Sequence, residues 1–189
     1  MPDTQRIVIR IKKGADGRTS LSCTRADGTT TWQRQEGDQA RFFPRHDLTH
    51  YAVETVLGLR QGFYGLVASG WDLSDFGSPW PRGRIPTEAN LAELIVGFFD
   101  LERRTGERST AEELNDRLAE LCAQNGFPKP EKISEADVAR VRQKRAEVFE
   151  KWDAIEPGSA LELPFELDAL ASALSPAQPE PRRAKSKKS

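Results

Sequence analysis

The sequence predicts an α+β fold, in which a three-stranded antiparallel meander at the N-terminus packs on a body of about four helices. Residues 6–35 alternate apolar and polar side chains in short runs separated by turn residues, which is typical of strands. From Leu48 onward, apolar residues recur every three or four positions, which indicates helices. The 189 residues suit one domain, which we expect at 1–174, followed by a disordered basic tail at 175–189.

Three segments form the predicted meander. In 6–12 the three isoleucines fall on one face, and 19–25 repeats the alternation. Asp27-Gly28 reads as a tight turn, because both residues tolerate a positive φ angle. It leads to a Thr-rich third strand at 29–35, for which we expect Trp32 to be the buried anchor.

The helical body follows a polar loop at 36–39. The first helix carries apolar residues on several sides, as helices at the centre of a domain do. A long structured loop, rich in Gly, Pro and Trp, is expected at 70–86, and the wider segment 62–85 is either a lid or merely a connection. Helices are predicted in the stretch that starts near Leu48 and at 87–105, 110–125 and 134–155, and a fourth strand could follow at 160–167.

Composition limits the location and the partners. The N-terminus has no apolar signal segment, no stretch is long enough to span a membrane, and only two cysteines occur, so we expect a cytoplasmic protein. The tail holds five Lys or Arg against one Glu, while the rest of the chain carries an excess of five acids. An acidic body argues against nucleic-acid binding by the body, and leaves weak polyanion contact through the tail.

The most concentrated chemistry lies in residues 42–54, where the two histidines of the chain are four apart. On a helix, this spacing puts His46 and His50 on one face, one turn apart, where they could chelate Zn²⁺ or a similar divalent ion. Asp47 could accept a hydrogen bond from the other ring nitrogen of His50. Glu54 lies one turn further on and is our candidate general base. A straight stripe cannot supply every ligand, so a distant carboxylate must complete the site: first Asp72 or Asp75, then Asp100 or Glu102.

A purely structural interpretation of the same residues stays open. An Asp at the junction of a Pro-containing coil and an apolar helix is typical of an N-cap. If Asp47 caps the helix, His46 lies outside it and loses its alignment with His50. His50 and Glu54 would then be an ordinary pair one helical turn apart.

The string His46-Asp47-x-x-His50 resembles the zinc motif of the coenzyme Q biosynthesis scaffold family, and is also similar to that of the HD-type phosphohydrolases. The first family has a further glutamate downstream, where this chain has Gln61-Gly62-Phe63. The second needs additional histidines, which this sequence does not contain. The resemblance is confined to this string, and no function is transferred from it.

Two functions from different classes fit these observations. The first is a binding or accessory protein without complete catalytic machinery. Its unknown protein or small-molecule partner would contact an aromatic surface at Trp71, Phe76 and Trp80. The second is a metal-dependent hydrolase or lyase, with His46 and His50 as ligands.

Overall fold

A computed structural model describes residues 5–77 and 80–167. The chain forms a four-stranded antiparallel sheet and five α-helices, which confirms the α+β prediction. The predicted tail and the end of the predicted domain, residues 168–189, lie outside the described residues. The sheet has the order β3-β2-β1-β4, and its strands are β1 (Arg6–Lys13), β2 (Thr19–Arg25), β3 (Thr30–Gln35) and β4 (Ala160–Glu166).

The inner face of the sheet is apolar because β1 and β2 alternate strictly. Ile7, Ile9 and Ile11 are fully buried, and Ile9 lies opposite Cys23 on β2. Strand β4 adds its apolar residues to the same face by pairing antiparallel with β1, as the sequence suggested for this segment. Trp32 does not anchor β3. Its side chain points to the outer face and is 63% exposed, so that expectation was wrong.

Five α-helices follow the meander, and a short 3-10 helix spans Leu73–Phe76. Local residues mark several of the helix ends. Thr110 and Glu113 form a capping box, Ser134 caps the last helix, and Gly106 ends the third helix in the left-handed conformation. None of the helices within the described ranges is long and apolar enough to cross a membrane. The α-helices are α1 (Gly37–Leu57), α2 (Phe63–Ala68), α3 (Thr87–Thr105), α4 (Ala111–Gln124) and α5 (Glu135–Ala154).

Helix α1 begins much earlier than the sequence indicated. The expected loop at 36–39 contains the helix start, and Pro44 lies inside the helix. The N-cap interpretation placed Pro44 in a coil, because proline lacks the N–H that bonds the preceding turn and is rare within helices. Asp47 is consequently an interior residue of α1, and the N-cap interpretation was wrong. His46 and His50 therefore lie on one continuous helix.

The core consists of two apolar clusters, and α1 and α5 contribute to both. One cluster lies under the sheet and includes Leu48 of α1 and Trp152 of α5. The other joins α3 and α4 to Val53 of α1 and Val141 of α5. Helix α1 is thus central, as its apolar circumference indicated. It runs between the sheet and the α3–α4 pair, and the polar residues in its second half that are buried are Asp47, Thr49, His50 and Glu54.

Candidate metal centre

Helix α1 holds the two histidines one turn apart, and both turn towards α3. Their ring centroids are 4.8 Å apart and the rings are nearly perpendicular. Glu93 of α3 meets them: its Oε1 lies 3.2 Å from Nε2 of His50, and its Oε2 lies 3.9 Å from Nε2 of His46. One ligand atom from each of the three residues lies within 4.8 Å of the other two. Among the described residues, this is the one group with the spacing of a metal site.

The other nitrogen of each ring faces a carboxylate. Nδ1 of His46 lies 2.8 Å from Oδ2 of Asp100, and Nδ1 of His50 lies 3.2 Å from Oε1 of Glu54. A carboxylate only accepts hydrogen bonds, so each Nδ1 carries the proton and donates it. Both Nε2 atoms are thereby aimed at the same space beside Glu93. This is how histidine ligands of metal ions are usually oriented.

No family model, curated protein or solved structure matches this chain.

Glu54 is held rigidly at the side of His50 that faces away from Glu93. Its side chain is fully buried, and Oε2 accepts hydrogen bonds from the N–H groups of Tyr64 (3.0 Å) and Gly65 (3.2 Å) at the start of α2. A Cβ on Gly62 would lie 2.5 Å from the Glu54 carboxylate. The absence of a side chain at Gly62 thus lets the backbone before α2 approach this carboxylate closely.

The electrostatic balance of the cluster is negative. Burial lowers the pKa of His50, but hydrogen bonds and charges from Glu54 and Glu93 outweigh it and raise that pKa to about 10. Burial raises the pKa of Glu93, yet the hydrogen bond and charge of His50 leave it below its ordinary value. Burial likewise raises the pKa of Asp100, but His46 and Arg103 hold it lowered. The His50 ring lies between two carboxylates, and its Nε2 carries a proton towards Glu93, at the place where a divalent ion would substitute for it.

Asp47 adds a further buried acid beside the histidines. Its Oδ2 accepts a hydrogen bond from Nε2 of Gln35, at 3.3 Å, rather than from His50. Burial raises the pKa of Asp47 to about 6, although the neighbouring charge of His46 and the Gln35 hydrogen bond oppose the shift. With Glu54, Glu93 and Asp100, it surrounds two imidazoles with four carboxyl groups.

An open pocket of about 310 Å³ adjoins the cluster. Three phenylalanines, Phe43, Phe63 and Phe76, contribute to its walls, and both histidines reach it. The Phe63 ring lies 5.4 Å from the His50 ring and 4.8 Å from the Phe76 ring, so the aromatic wall continues directly from a candidate ligand. A bound molecule could touch the apolar wall and the metal group together.

The two loop carboxylates expected first as ligands lie elsewhere. Oδ1 of Asp72 pairs with Arg25 at 3.0 Å, and Oδ2 of Asp75 pairs with Arg82 at 2.5 Å. They also cap the short 3-10 helix, where Asp75 accepts a hydrogen bond from the backbone N–H of Asp72. Neither residue lines the pocket beside the histidines.

The three aromatic residues expected as a partner surface are not equivalent. Phe76 lines the pocket, and Trp71 packs behind it, with ring centroids 5.5 Å apart. Trp80 is 48% exposed and does not line this pocket. Only Phe76 of the three therefore belongs to the candidate site.

Glu93 was not recognised from the sequence. It is surrounded by apolar residues of α3 and looks like an ordinary solvated position. The spacing of the acids in α3 is a sequence signal for this site. Glu93 and Asp100 are seven residues apart, which places both on one side of a helix, just as the four-residue spacing places His46 and His50 on one side of α1. Two matched polar stripes, one on each helix, are what the packing of α1 on α3 brings together.

Proposed function

We propose that this protein binds a divalent transition-metal ion through His46, His50 and Glu93, and acts as a metal-dependent hydrolase on a small molecule held in the adjoining pocket. The observation that carries the proposal is the convergence of both Nε2 atoms and one carboxylate, with each Nδ1 fixed by its own acid. Two imidazoles and a carboxylate form a ligand set that suits Zn²⁺.

The chain offers three ligands and a pocket beside them, which is the pattern of catalytic rather than structural zinc sites. An ion bound there would polarise a substrate oxygen and activate a water molecule. The aromatic wall would position the apolar part of the substrate. Glu54 and Asp100 would keep the imidazoles in the ligating tautomer, and the geometry favours this positioning role for Glu54 over that of general base, because both of its oxygens are occupied.

Metal binding is tested by calorimetric titration of the EDTA-treated full-length protein with Zn²⁺, together with elemental analysis. We expect one equivalent to bind to the wild type. Glu93→Gln and His50→Ala should each weaken binding at least about tenfold, because each removes a ligand. Glu107→Gln is the matched control, because Glu107 is an exposed acid beyond the end of α3. Sub-stoichiometric binding by the wild type, or equal binding by Glu93→Gln and Glu107→Gln, would contradict the proposed site.

Hydrolysis is tested separately with the metal-loaded protein and a panel of uncharged aryl esters and amides. We expect turnover that EDTA abolishes and Zn²⁺ restores, and that Phe76→Ala reduces mainly through KM. A protein that binds metal stoichiometrically but turns over no member of the panel would leave the metal site standing and refute the hydrolase.

The aromatic pocket also supports the second function expected from the sequence, a binding protein without catalysis. Phe43, Phe63 and Phe76 would then hold a small apolar ligand, and the histidine cluster would orient its polar end. Ligand binding that is equally tight with and without metal, and lost in Phe63→Ala, would favour this candidate over the hydrolase.

A further inference from the structure

The outer face of the sheet, opposite the helices, carries a shallow trough. Strand β2 contributes two serines, Ser20 and Ser22, to its floor, while β1 and β3 contribute long side chains on either side. Neighbouring strands are about 4.8 Å apart, so the trough between β1 and β3 is about 10 Å wide. Its six residues form two cross-strand rows, Lys12, Ser20 and Arg34 in one and Arg10, Ser22 and Trp32 in the other.

Trp32 presents an open aromatic surface at the edge of this trough. At 63% exposed, it is the most exposed large apolar side chain among the described residues. It has no ring or cation partner within the described part of the chain. Ser22, directly opposite on β2, is too small to cover it. An indole left uncovered in this way is a platform on which another planar ring can stack.

Two cations that line the same pocket as the indole have no counter-ion within the part of the chain that the structure describes. On the same face, Arg6 and Arg10 pair with Glu166 and Glu162 of β4. Lys12 and Arg34, by contrast, form no ion pair with any described residue. Together with Trp32 and the β1–β2 turn, they line an open pocket of about 330 Å³. Arg34 is two residues from Trp32 on one strand, so their Cα atoms are about 7 Å apart.

We propose that this face binds single-stranded nucleic acid, with a base stacked on Trp32 and backbone phosphates at Lys12 and Arg34. An indole platform flanked by cations matches the two chemistries of such a strand, flat bases and a charged backbone. An acidic peptide would satisfy the cations and leave the indole bare, whereas an apolar ligand would leave the cations without a partner.

The proposal does not depend on the metal centre. The trough is built from β1, β2 and β3 on the outer face, while the histidines lie on α1 and look towards α3. It also differs from polyanion contact through the tail alone, because it assigns the stacking to the folded body. The net acidity of that body does not oppose it at short range, since the residues that line this pocket include three cations, Lys12, Arg18 and Arg34, and one acid, Asp16.

The test is fluorescence anisotropy of labelled oligothymidylate and oligoadenylate strands of about ten nucleotides, with the full-length protein at about 50 mM salt. The variants are Trp32→Thr, which keeps a strand-forming residue, and the double variant Lys12→Gln/Arg34→Gln. Trp80→Thr controls for loss of an exposed Trp, and Lys129→Gln/Lys132→Gln controls for loss of two exposed charges. Circular dichroism verifies the fold of each.

We expect binding that Trp32→Thr weakens about 5- to 150-fold, the range for loss of one stacked base. The Lys12→Gln/Arg34→Gln variant should reduce the slope of log K against log salt by about 1.4, since each phosphate contact on a single strand contributes about 0.7. Both controls should bind like the wild type.

Several outcomes would overturn the proposal. One is no binding by the wild type, and another is equal binding by Trp32→Thr and Trp80→Thr. A full-length variant with its tail lysines Lys185, Lys187 and Lys188 changed to Gln separates the two sources of positive charge. If that variant loses binding while Trp32→Thr keeps it, the tail is the site. Equal affinity for AMP and for the strands would make the ligand a free nucleotide. Competition by polyglutamate as strong as that by unlabelled strand would exclude base stacking.

Discussion

Replacing Glu54 by Gln changes the metal site without touching a ligand. In the wild type, one carboxylate oxygen accepts from Nδ1 of His50 and the other from the N–H groups of Tyr64 and Gly65. A Gln side chain has only one oxygen. If that oxygen stays on the two backbone donors, its NH₂ group faces Nδ1 of His50. In the opposite orientation of the amide, the NH₂ group would face the two backbone N–H donors, so the first orientation costs less free energy.

His50 can then avoid a clash of donors only by changing tautomer. Nδ1 loses its proton and becomes the acceptor, so the remaining proton stays on Nε2, where it occupies the lone pair that would bind the ion. Loss of an outer carboxylate partner typically lowers metal affinity 10- to 100-fold, and we expect the upper part of that range because the tautomer itself is wrong. The loss of one charged, buried hydrogen bond should also destabilise the metal-free protein by about 1.5–3 kcal/mol.

Calorimetric titration with Zn²⁺ and nitrogen NMR shifts of the imidazoles measure the two effects. Asp100→Asn is the parallel variant, because its carboxylate holds Nδ1 of His46 in the same way. A Glu54→Gln protein with Nε2 of His50 unprotonated and wild-type affinity would refute the reasoning. So would a loss of affinity in Glu54→Gln without any change of tautomer.

Three further predictions concern stability and reactivity. Gly62→Ala should displace the Glu54 carboxylate, because the new Cβ would lie 2.5 Å from it, and should lower both the metal affinity and the melting temperature. Gly97→Ala is the control, because Gly97 is an exposed helical site with nothing within 4 Å of a Cβ. It should raise the free energy of unfolding, measured by chemical denaturation, by up to about 1 kcal/mol. In EDTA-treated protein, the pKa of His50 is raised above its unfolded value of 6.5 to about 10, so its contribution to stability is fully present below pH 6.5 and is lost as the pH rises towards 10. The free energy of unfolding should therefore fall by up to about 1.4 kcal/mol per pH unit between these values. His50→Gln should reduce this dependence of the free energy of unfolding on pH. Burial raises the pKa of the Cys23 thiol to about 12, so its alkylation at about pH 8 should be about a thousandfold slower than that of an ordinary thiol. Alkylation of Cys23 at the rate of an ordinary thiol, followed by mass spectrometry, would contradict its burial.

The sequence predicts the elements best where the signals are local. The capping box at Thr110 and Glu113 and the glycine at 106 are short-range features, and the helices they delimit lie where expected. Pro44 misled the prediction of α1, because a propensity argument cannot register that packing on both sides of the helix stabilises it. Trp32 misled the prediction of β3. The alternation of residues along a strand shows which side chains share a face, but it does not show which of the two faces is buried.

The site could be predicted only in part, for a related reason. The spacing of His46 and His50 is a property of one helix and can be read directly. Their carboxylate neighbour Glu93 comes from α3, about forty positions away, and depends on how two helices pack. No period in a single sequence encodes that contact. The environment of Glu54 is equally non-local, because it needs the backbone of α2 to return to the same side of α1.

The placement of α1 between two apolar clusters has a mechanical consequence. An ion held by α1 and by Glu93 would cross-link the central helix to the outer layer of α3 and α4. Loading it should therefore slow amide hydrogen exchange in α3 and α4 while leaving β1 and β2 nearly unchanged, since the sheet is already secured by its own cluster. Metal binding would then determine whether α1 and the α3–α4 layer open separately or together, as one cooperative unfolding unit in place of two.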